Sequence, residues 1–397
     1  MKWFGRKAAR ETARPFLLRH SGAAGVGEWP RSYEAQVREA YLGNPVAQRA
    51  VRLVAEGCGG ASVYDAGAAP PPASPTAAAQ PLRGRHVPPE HASHARPLPV
   101  PGRIVTPALV EGIAAQLLLH GNAFVQVICD AQGEPAELFA LRPERVSVEA
   151  DASGWPAAYV YKAGEAKTRF AARDPLGRPS IVHLKAMHPL DDHYGLGCLG
   201  AAAGAVAIHN AATRWNKALL DNSARPSGAL MFDPGDGAVL SGEQIDRLRS
   251  EMEAMFQGST NAGRPMLLDG GFKWQAMSLS PSDMDFVGLK AAAAREIALA
   301  FGVPPMLLGL PGDSTYANYR EANRALWRLT ILPMMDRILG GISSALAAWW
   351  PGVKLQVDLD LVTALAEDRE RLWAQVSGAD FLSDAEKREM LGFEVKQ

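Results

Sequence analysis

One long helix in the last third of the sequence ends abruptly, and this break limits the folds that the chain can adopt. The helical pattern begins at Ser280-Pro281-Ser282-Asp283, a capping-box pattern with proline at the first helical position. It runs for about 30 Å, to Phe301. Gly302 then permits a sharp turn, and Pro304 and Pro305 cannot continue a helix.

The loop after this break is apolar and contains a single acid. Its residues are Met306, Leu307, Leu308, Gly309, Leu310, Pro311 and Asp313. The helical pattern resumes at about Tyr316 and reaches Trp350, with one interruption at Pro333. Because enzymes place polar, titratable groups in such breaks, this loop favours a contact surface over a catalytic site.

Composition and charge exclude several classes of protein. The chain has 397 residues, of which 47% are hydrophobic and 21% charged, as is usual for a soluble folded protein. Its 41 basic and 42 acidic residues give a net charge of −1, which excludes a strongly basic protein that grips DNA. No uninterrupted apolar run approaches the roughly 18 residues that span a bilayer, so we expect no membrane partner. Three widely spaced cysteines support neither a disulfide framework nor a zinc site.

The order of the elements indicates an α+β fold. Two long helices flank an insert with a β-α-β-β pattern, whose helix opens with a capping box at Ser241. The predicted segments are a flexible basic arm at 1–31, helices at 32–57, a Pro/Ala-rich surface loop at 66–102, a helix at 106–120, short β segments up to Lys185, a helix at 195–224, and the insert at 225–279.

A nucleotide-binding enzyme is one alternative. Residues 195–200 read GLGCLG, which matches the GxGxxG pattern of dinucleotide sites. Such a site needs a strand that leads directly into the glycines and a second strand after the helix. Here the strand ends at about Lys185, and the segment after the glycines is continuous helix. We therefore favour a glycine-rich turn before a closely packed helix.

The sequence shows no other set of catalytic or metal-binding residues. His183, His188 and His193 are five residues apart, which suits neither a helical metal site nor one face of a strand. The histidines at 86, 91 and 94 lie in the Pro/Ala-rich loop, which would not fix a metal geometry. We expect no cofactor, no metal and no enzymatic activity.

Several stretches, taken in order, resemble the portal proteins of tailed double-stranded DNA phages. The resemblance is closest to the compact type found in lambda-like, long-tailed phages and in gene transfer agents, and covers about residues 40 to 390. The matching pieces include NPVAQRAVRLVAEG at 44–57, LLLHGNAFVQV at 117–127 with Gly121, Asn122 and Ala123, NSARPSGAL at 222–230, and REIALAFGVPPMLLG with STYANYREANRALWRLTILP at 295–333, which contains Thr315, Tyr316, Ala317 and Asn318.

This resemblance implies a structural protein that forms a ring, usually of twelve subunits, at one vertex of a capsid. Double-stranded DNA would enter and leave through its tunnel. The implied partners are the major capsid protein, the terminase large subunit and the head–tail adaptor. The protein would be made in the bacterial cytoplasm and reside at the portal vertex of a phage or a gene transfer agent. Another head–tail connector ring is the alternative, although such chains are usually shorter.

The resemblance also divides the chain into the subdomains of a portal. The clip would meet the adaptor and the packaging motor, with Glu243, Asp246, Arg247, Arg249 and Glu253 as the expected docking residues. The implied subdomains are a wing at 32–194 and 319–353, stem helices at 195–224 and 280–302, a clip at 225–279, a tunnel loop at 303–318 and a short helical crown at 354–397.

The apolar loop after the helix break resembles the portal tunnel loop. Apolar side chains at its tip could touch the DNA backbone without forming ion pairs, so DNA would pass without being held. The alternative is that Met306, Leu307 and Leu308 are buried against the stem of a neighbouring subunit.

Overall fold

A computed structural model describes residues 30, 32–67, 104–221, 228–232, 241–256, 272–276, 286–310 and 316–391. Within these residues the chain combines helices with short antiparallel strands, which confirms the predicted α+β class. Most of the predicted arm at 1–31 and of the Pro/Ala-rich loop at 66–102 lies outside them. The division into wing, stem, clip and crown stays a prediction.

The first part of the fold is helical, and each longer helix begins at a side-chain cap. Asn44 Oδ1 accepts two N–H groups of one first turn at 3.0 Å, and Thr106 Oγ1 accepts one N–H group of another at 3.2 Å. A proline follows each cap, where its missing N–H loses no bond. These helices are α1 (Tyr33–Val37), continued by a π-helical turn at Arg38–Leu42, α2 (Pro45–Gly59) and α3 (Pro107–Leu119).

The strands form two three-stranded antiparallel sheets and a small pair. Their orders are β3-β2-β7, β4-β5-β6 and β1-β10. The pair joins Val63 to Val357, so it ties the beginning of the chain to its last third. The strands are β1 (Val63–Asp65), β2 (Asn122–Cys129), β3 (Pro135–Leu141), β4 (Val146–Ala150), β5 (Pro156–Ala163), β6 (Ala166–Ala171), β7 (Ile181–Lys185) and β10 (Leu355–Val357).

Two long helices flank the insert and pack against each other. Leu199, at the start of one, and Phe301, just after the end of the other, join the same core, so the two run in opposite directions. In the insert, β8 pairs with β9 in antiparallel register. The strand predicted at 264–269 lies outside the described residues. These elements are α4 (Leu199–Asp221), β8 (Gly228–Phe232), α5 (Gly242–Phe256), β9 (Phe272–Ala276) and α6 (Phe286–Ala300).

After the break, α7 (Tyr316–Leu326) continues through a π-helical turn, Trp327–Ile331, into α8 (Leu332–Leu346). Pro333, predicted to interrupt this run, lies in the first turn of α8, where a proline is tolerated. The run Asn318–Leu346 has the length and apolar composition of a membrane span. One side of α8 is buried in the main core, as in core helices of globular proteins.

The last described elements are two short helices, α9 (Ala366–Ser377) and α10 (Asp384–Met390). Ion pairs tie α9 to the segments that precede it. Arg324 on α7, which is only 12% exposed, lies 2.8 Å from Glu367 on α9. Arg369 lies 2.6 Å from Asp360.

A large core and a small one hold these elements together. The main core lies between α2, α3, α8, one face of the first sheet and the ends of α4 and α6 that meet there. The small core lies between the two sheets and contains Phe124, Leu141, Val146, Tyr159 and Ile181.

Candidate functional site

The helix break is built from a left-handed glycine. α6 ends at Ala300, and Gly302 has a φ of 66°. Its N–H donates to the carbonyl of Leu299 at 3.0 Å, and the N–H of Val303 donates to that of Ala298 at 2.9 Å. These bonds satisfy the last carbonyls of the helix, so the chain leaves the helix axis without losing backbone hydrogen bonds.

Thr330 holds this turn in place. Its hydroxyl donates to the carbonyl of Gly302 at 2.6 Å. A Cβ on Gly302 would lie 2.9 Å from the Thr330 hydroxyl oxygen, closer than side chains normally approach. Thr330 belongs to the π-helical turn between α7 and α8. Nothing local in the sequence marks Thr330, because its contact with Gly302 spans 28 residues.

The loop after the break folds back on its own subunit before it becomes exposed. Pro305–Leu308 form a 3-10 turn, in which Leu307 and Leu308 are half-buried and pack on the main core. Met306 and Leu310 are also half-buried, whereas Gly309 is exposed and has a φ of 72°. Pro311, Asp313 and Thr315 lie outside the described residues.

The motif residues that follow the loop open α7. Tyr316, Ala317 and Asn318 form its first turn, in which Asn318 is exposed. α7 contacts the 3-10 turn at Pro305–Leu308, so both ends of the loop return to the same part of the fold.

The motif Gly121-Asn122-Ala123 forms a buried polar junction where β2 begins. Asn122 is 1% exposed. Its Oδ1 accepts the N–H of Gly195 at 2.7 Å and Nε2–H of His183 at 3.1 Å. Its Nδ2 donates to the carbonyl of Gly195 at 3.1 Å and to Nδ1 of His120 at 3.1 Å. One amide therefore joins the end of α3, strand β7 and the glycine-rich segment before α4.

The first two glycines of GxGxxG serve this junction, where backbone of another segment occupies the space that a phosphate would need. A Cβ on Gly195 would lie 2.1 Å from the carbonyl oxygen of Gly121, and one on Gly197 2.5 Å from that of Leu119. Strand β7 ends at Lys185, well before α4 begins at Leu199. The two segments lie backbone against backbone, so a dinucleotide fingerprint is the wrong interpretation of these glycines.

The two histidines of this junction are held neutral. Burial lowers the pKa of His120 to about 4. Burial, and next the charge of Lys185, lower the pKa of His183 to about 3. His183 also stacks on Phe124, with ring centroids 4.2 Å apart. Among the described residues, no group of three metal-ligating side chains lies together.

A second polar junction fixes α4 to the N-terminal helices. Nδ2 of Asn44, the cap of α2, donates to Oδ1 of Asn210 at 2.8 Å and to Nδ1 of His209 at 3.2 Å. Nδ2 of Asn210 donates to the carbonyl of Glu39 at 2.9 Å. The hydrogen bond from Arg214 lowers the pKa of the Glu39 carboxyl. This junction, too, was not selected from the sequence.

The expected docking residues of the insert lie on α5. Ser241 and Gln244 form its capping box, with Ser241 N–H donating to Gln244 Oε1 at 2.8 Å. Glu243, Asp246 and Arg247 are exposed. The structure does not describe the side chains of Arg249 and Glu253, which also lie on α5.

With this geometry in place, comparison with known proteins decides the family. Residues 104–392, well over half of the chain, match the family described as phage portal protein. The chain belongs to this family. The family resemblance of the sequence is therefore confirmed, and the matched segment contains both the Asn122 junction and the helix break.

Solved structures and curated relatives agree with this portal family. A chain in the neck of a native gene transfer agent particle, computed with C12 symmetry, is 44% identical, with a TM-score of 0.64. The likeness covers 94% of this chain and 97% of that one. An uncharacterised protein of Rickettsia felis is 42% identical over 70% of this chain and 72% of its own length. A probable portal protein of Streptomyces phage phiC31 is 28% identical over 49% of this chain and 43% of its own length.

The left-handed glycines of the break allow a matched test of the Thr330 contact. Gly302→Ala and Gly309→Ala both place a side chain at positive φ, which costs about 1–2 kcal/mol. Only Gly302→Ala adds a Cβ against Thr330, because nothing lies within 4 Å of a Cβ on Gly309. We expect Gly302→Ala to lower the unfolding free energy by about 1 kcal/mol more than Gly309→Ala does, measured in urea. An equal loss of unfolding free energy in the two variants would contradict the contact between Gly302 and Thr330.

The neutral histidines predict that acid destabilises this portal chain. A folded-state pKa below the unfolded value of about 6.5 means that the unfolded state binds more protons, so stability falls below pH 6.5 until the folded pKa is reached. Between pH 7 and pH 5 each histidine should remove on the order of 2 kcal/mol. His183→Gln should remove about half of this pH dependence in urea unfolding. An unchanged pH dependence would contradict the assignment.

Proposed function

We propose that this chain is a portal subunit, which forms a twelvefold ring at the neck of a phage or gene transfer agent particle. The observation that carries the proposal is the likeness, at 44% identity over nearly the whole chain, to a chain in a neck computed with C12 symmetry. In the proposed ring, double-stranded DNA is packaged and ejected through the centre. The protein is structural, and its work in the particle is to guide DNA and to join other components.

The fold supports this role through the arrangement of its helices. An antiparallel pair, α4 and α6, carries the β8–α5–β9 insert at one end and the helix break at the other. In the proposed ring this pair is the stem and the insert is the clip. The exposed charges of α5 then offer a surface to a packaging motor and later to a head–tail adaptor, while the sheets and outer helices face the capsid protein.

The charge of the chain suits a tunnel that DNA must slide through. Tight non-specific binding to DNA requires many phosphate contacts by Lys and Arg, each of which adds salt-dependent affinity. The net charge here is −1. Leu307 and Leu308 pack on the core of their own subunit, so the proposed DNA contact is limited to Met306, Gly309, Leu310 and the three residues that follow.

The ring is tested by the mass of the purified protein. Twelve copies of the 42.4 kDa chain have a mass of about 509 kDa. Native mass spectrometry should find this species, and negative-stain images should show rings with a central hole. A chain that stays at 42.4 kDa, even with the capsid protein present, would contradict the proposal.

The tunnel contact is tested by matched substitutions in the loop. Leu310→Asp should leave the ring and its melting temperature unchanged but reduce nuclease-protected DNA several-fold, because a ring of carboxylates repels phosphates. Leu310→Asn, of the same size and without charge, should retain most of the DNA. Leu308→Asp should instead destabilise the subunit, by about 2–3 kcal/mol, because it places a charge against the core. Normal DNA content with Leu310→Asp would contradict the contact.

A further inference from the structure

Helix α4 exposes an apolar seam along one side. Ile208 is 43% exposed and Trp215 is 36% exposed, although both are large apolar side chains. Both belong to a row of exposed residues that are alternately three and four positions apart, which is the spacing of a coiled-coil contact line. This α4 seam consists of Ala201, Gly204, Ile208, Ala211, Trp215 and Ala218, all exposed.

Helix α6 exposes a second seam with the same spacing. Leu299 is 79% exposed and Leu289 is 42% exposed. Ala292 and Glu296, which complete the intervals of three, four and three residues, are also exposed. Large apolar side chains at this spacing are typical of a helix that packs against another helix.

Each seam lies on the side of its helix away from that helix's buried residues. The buried side of α4 contains Ala202, Val206 and Ala212, and that of α6 contains Ala294 and Ile297. These sides face the subunit's own fold, where α4 and α6 pack against each other. The residues of both seams are exposed within one copy of the chain, so the α4 seam of one copy can meet the α6 seam of the next.

We propose that the α4 seam packs against the α6 seam of an adjacent copy of this chain, as the head-to-tail contact of the ring. The inference rests on the proposed function, because two different patches on each copy close into a ring when the rotation allows it. The C12 symmetry of the similar neck chain requires such a contact between identical subunits. Gly204 would admit the neighbouring helix closely, since a Cβ there would meet nothing within its own subunit.

The register of this contact follows from cyclic symmetry. Within a subunit, Leu199 at the start of α4 and Phe301 just after the end of α6 are buried in the same core. These residues are therefore at about the same height along the helix pair. In the proposed stem the helix pair runs along the ring axis, and cyclic symmetry has no rise along that axis, so residues of equal height also face each other between copies. Ala211 of one copy should then lie opposite Leu289 of the next.

Disulfide cross-linking tests this pairing. In a Cys129→Ser background, which removes the exposed native thiol, Ala211→Cys and Leu289→Cys are combined. Mild oxidation should produce a ladder of covalent oligomers on a non-reducing gel, up to the full ring. Each single variant should produce no ladder. Rings in native mass spectra without a ladder would overturn this contact but leave the ring intact. If even the unmodified chain forms no rings, the proposed function fails and the contact fails with it.

A matched pair of glycine substitutions gives a second test. Gly204 on α4 and Gly340 on α8 are both exposed glycines inside helices, and a Cβ on either meets nothing within 4 Å. A tryptophan at either position should therefore leave the fold of the subunit intact. Gly204→Trp should raise the monomer fraction at least tenfold in native mass spectra, whereas Gly340→Trp should keep the ring. Intact rings with Gly204→Trp, at an unchanged melting temperature, would overturn the proposal.

Discussion

The contact between the backbones of Gly121 and of the segment Gly195–Gly197 fixes where the sheets meet the long helix α4. None of Gly121, Gly195 and Gly197 has room for a Cβ, and Asn122 bonds both backbone groups of Gly195. Because a backbone contact of this kind has no side chains that could adapt, its geometry allows little variation. The direction in which α4 leaves the sheets, and with it the placement of the insert and of the helix break, depends on this contact.

The junctions at Asn122 and Asn44 solve the same physical problem with the same residue type. Each must join three segments inside the fold, where a charge would be expensive to desolvate. An amide presents donors and an acceptor without carrying a charge, and both asparagines use both kinds of group. The inner groups of both junctions are neutral amides and histidines, and they hold the helices in a defined place because an unpaired polar group there would lose its full solvation energy.

The sequence predicted the elements whose signals are local. The caps at Asn44, Thr106 and Ser241 and the helix end near Gly302 can be found because the relevant residues are neighbours in the chain. The family follows from the order of several motifs. Contacts between distant segments could not be found in this way. No residue near Thr330 in the sequence indicates that it contacts Gly302. The GxGxxG motif is also ambiguous, because the same residues occur whether the glycines contact a phosphate or another backbone segment.

The outward faces of the helices show a further limit of sequence reasoning. An alanine-rich helix such as α4 has apolar residues on every side, so periodicity alone does not reveal which side is buried in the subunit. Burial in the structure separates Ala202 and Val206, which face the subunit, from Ile208 and Trp215, which are exposed. The spacing of apolar residues along α4 therefore fits both its contact with its own subunit and the proposed contact with the next copy.

Symmetry gives a reason for an apolar loop in the proposed ring. B-DNA repeats about every 10–10.5 base pairs, so twelve identical groups around it cannot all meet equivalent phosphates. A lysine at the loop would be repeated twelve times, and every phosphate that it neutralised would strengthen a salt-dependent hold on the DNA. An apolar loop tip forms no ion pair with any phosphate, so it adds no salt-dependent affinity for the DNA. Leu299, in the α6 seam, lies three residues before Gly302, so the helix that contacts the neighbouring copy also sets where the loop begins.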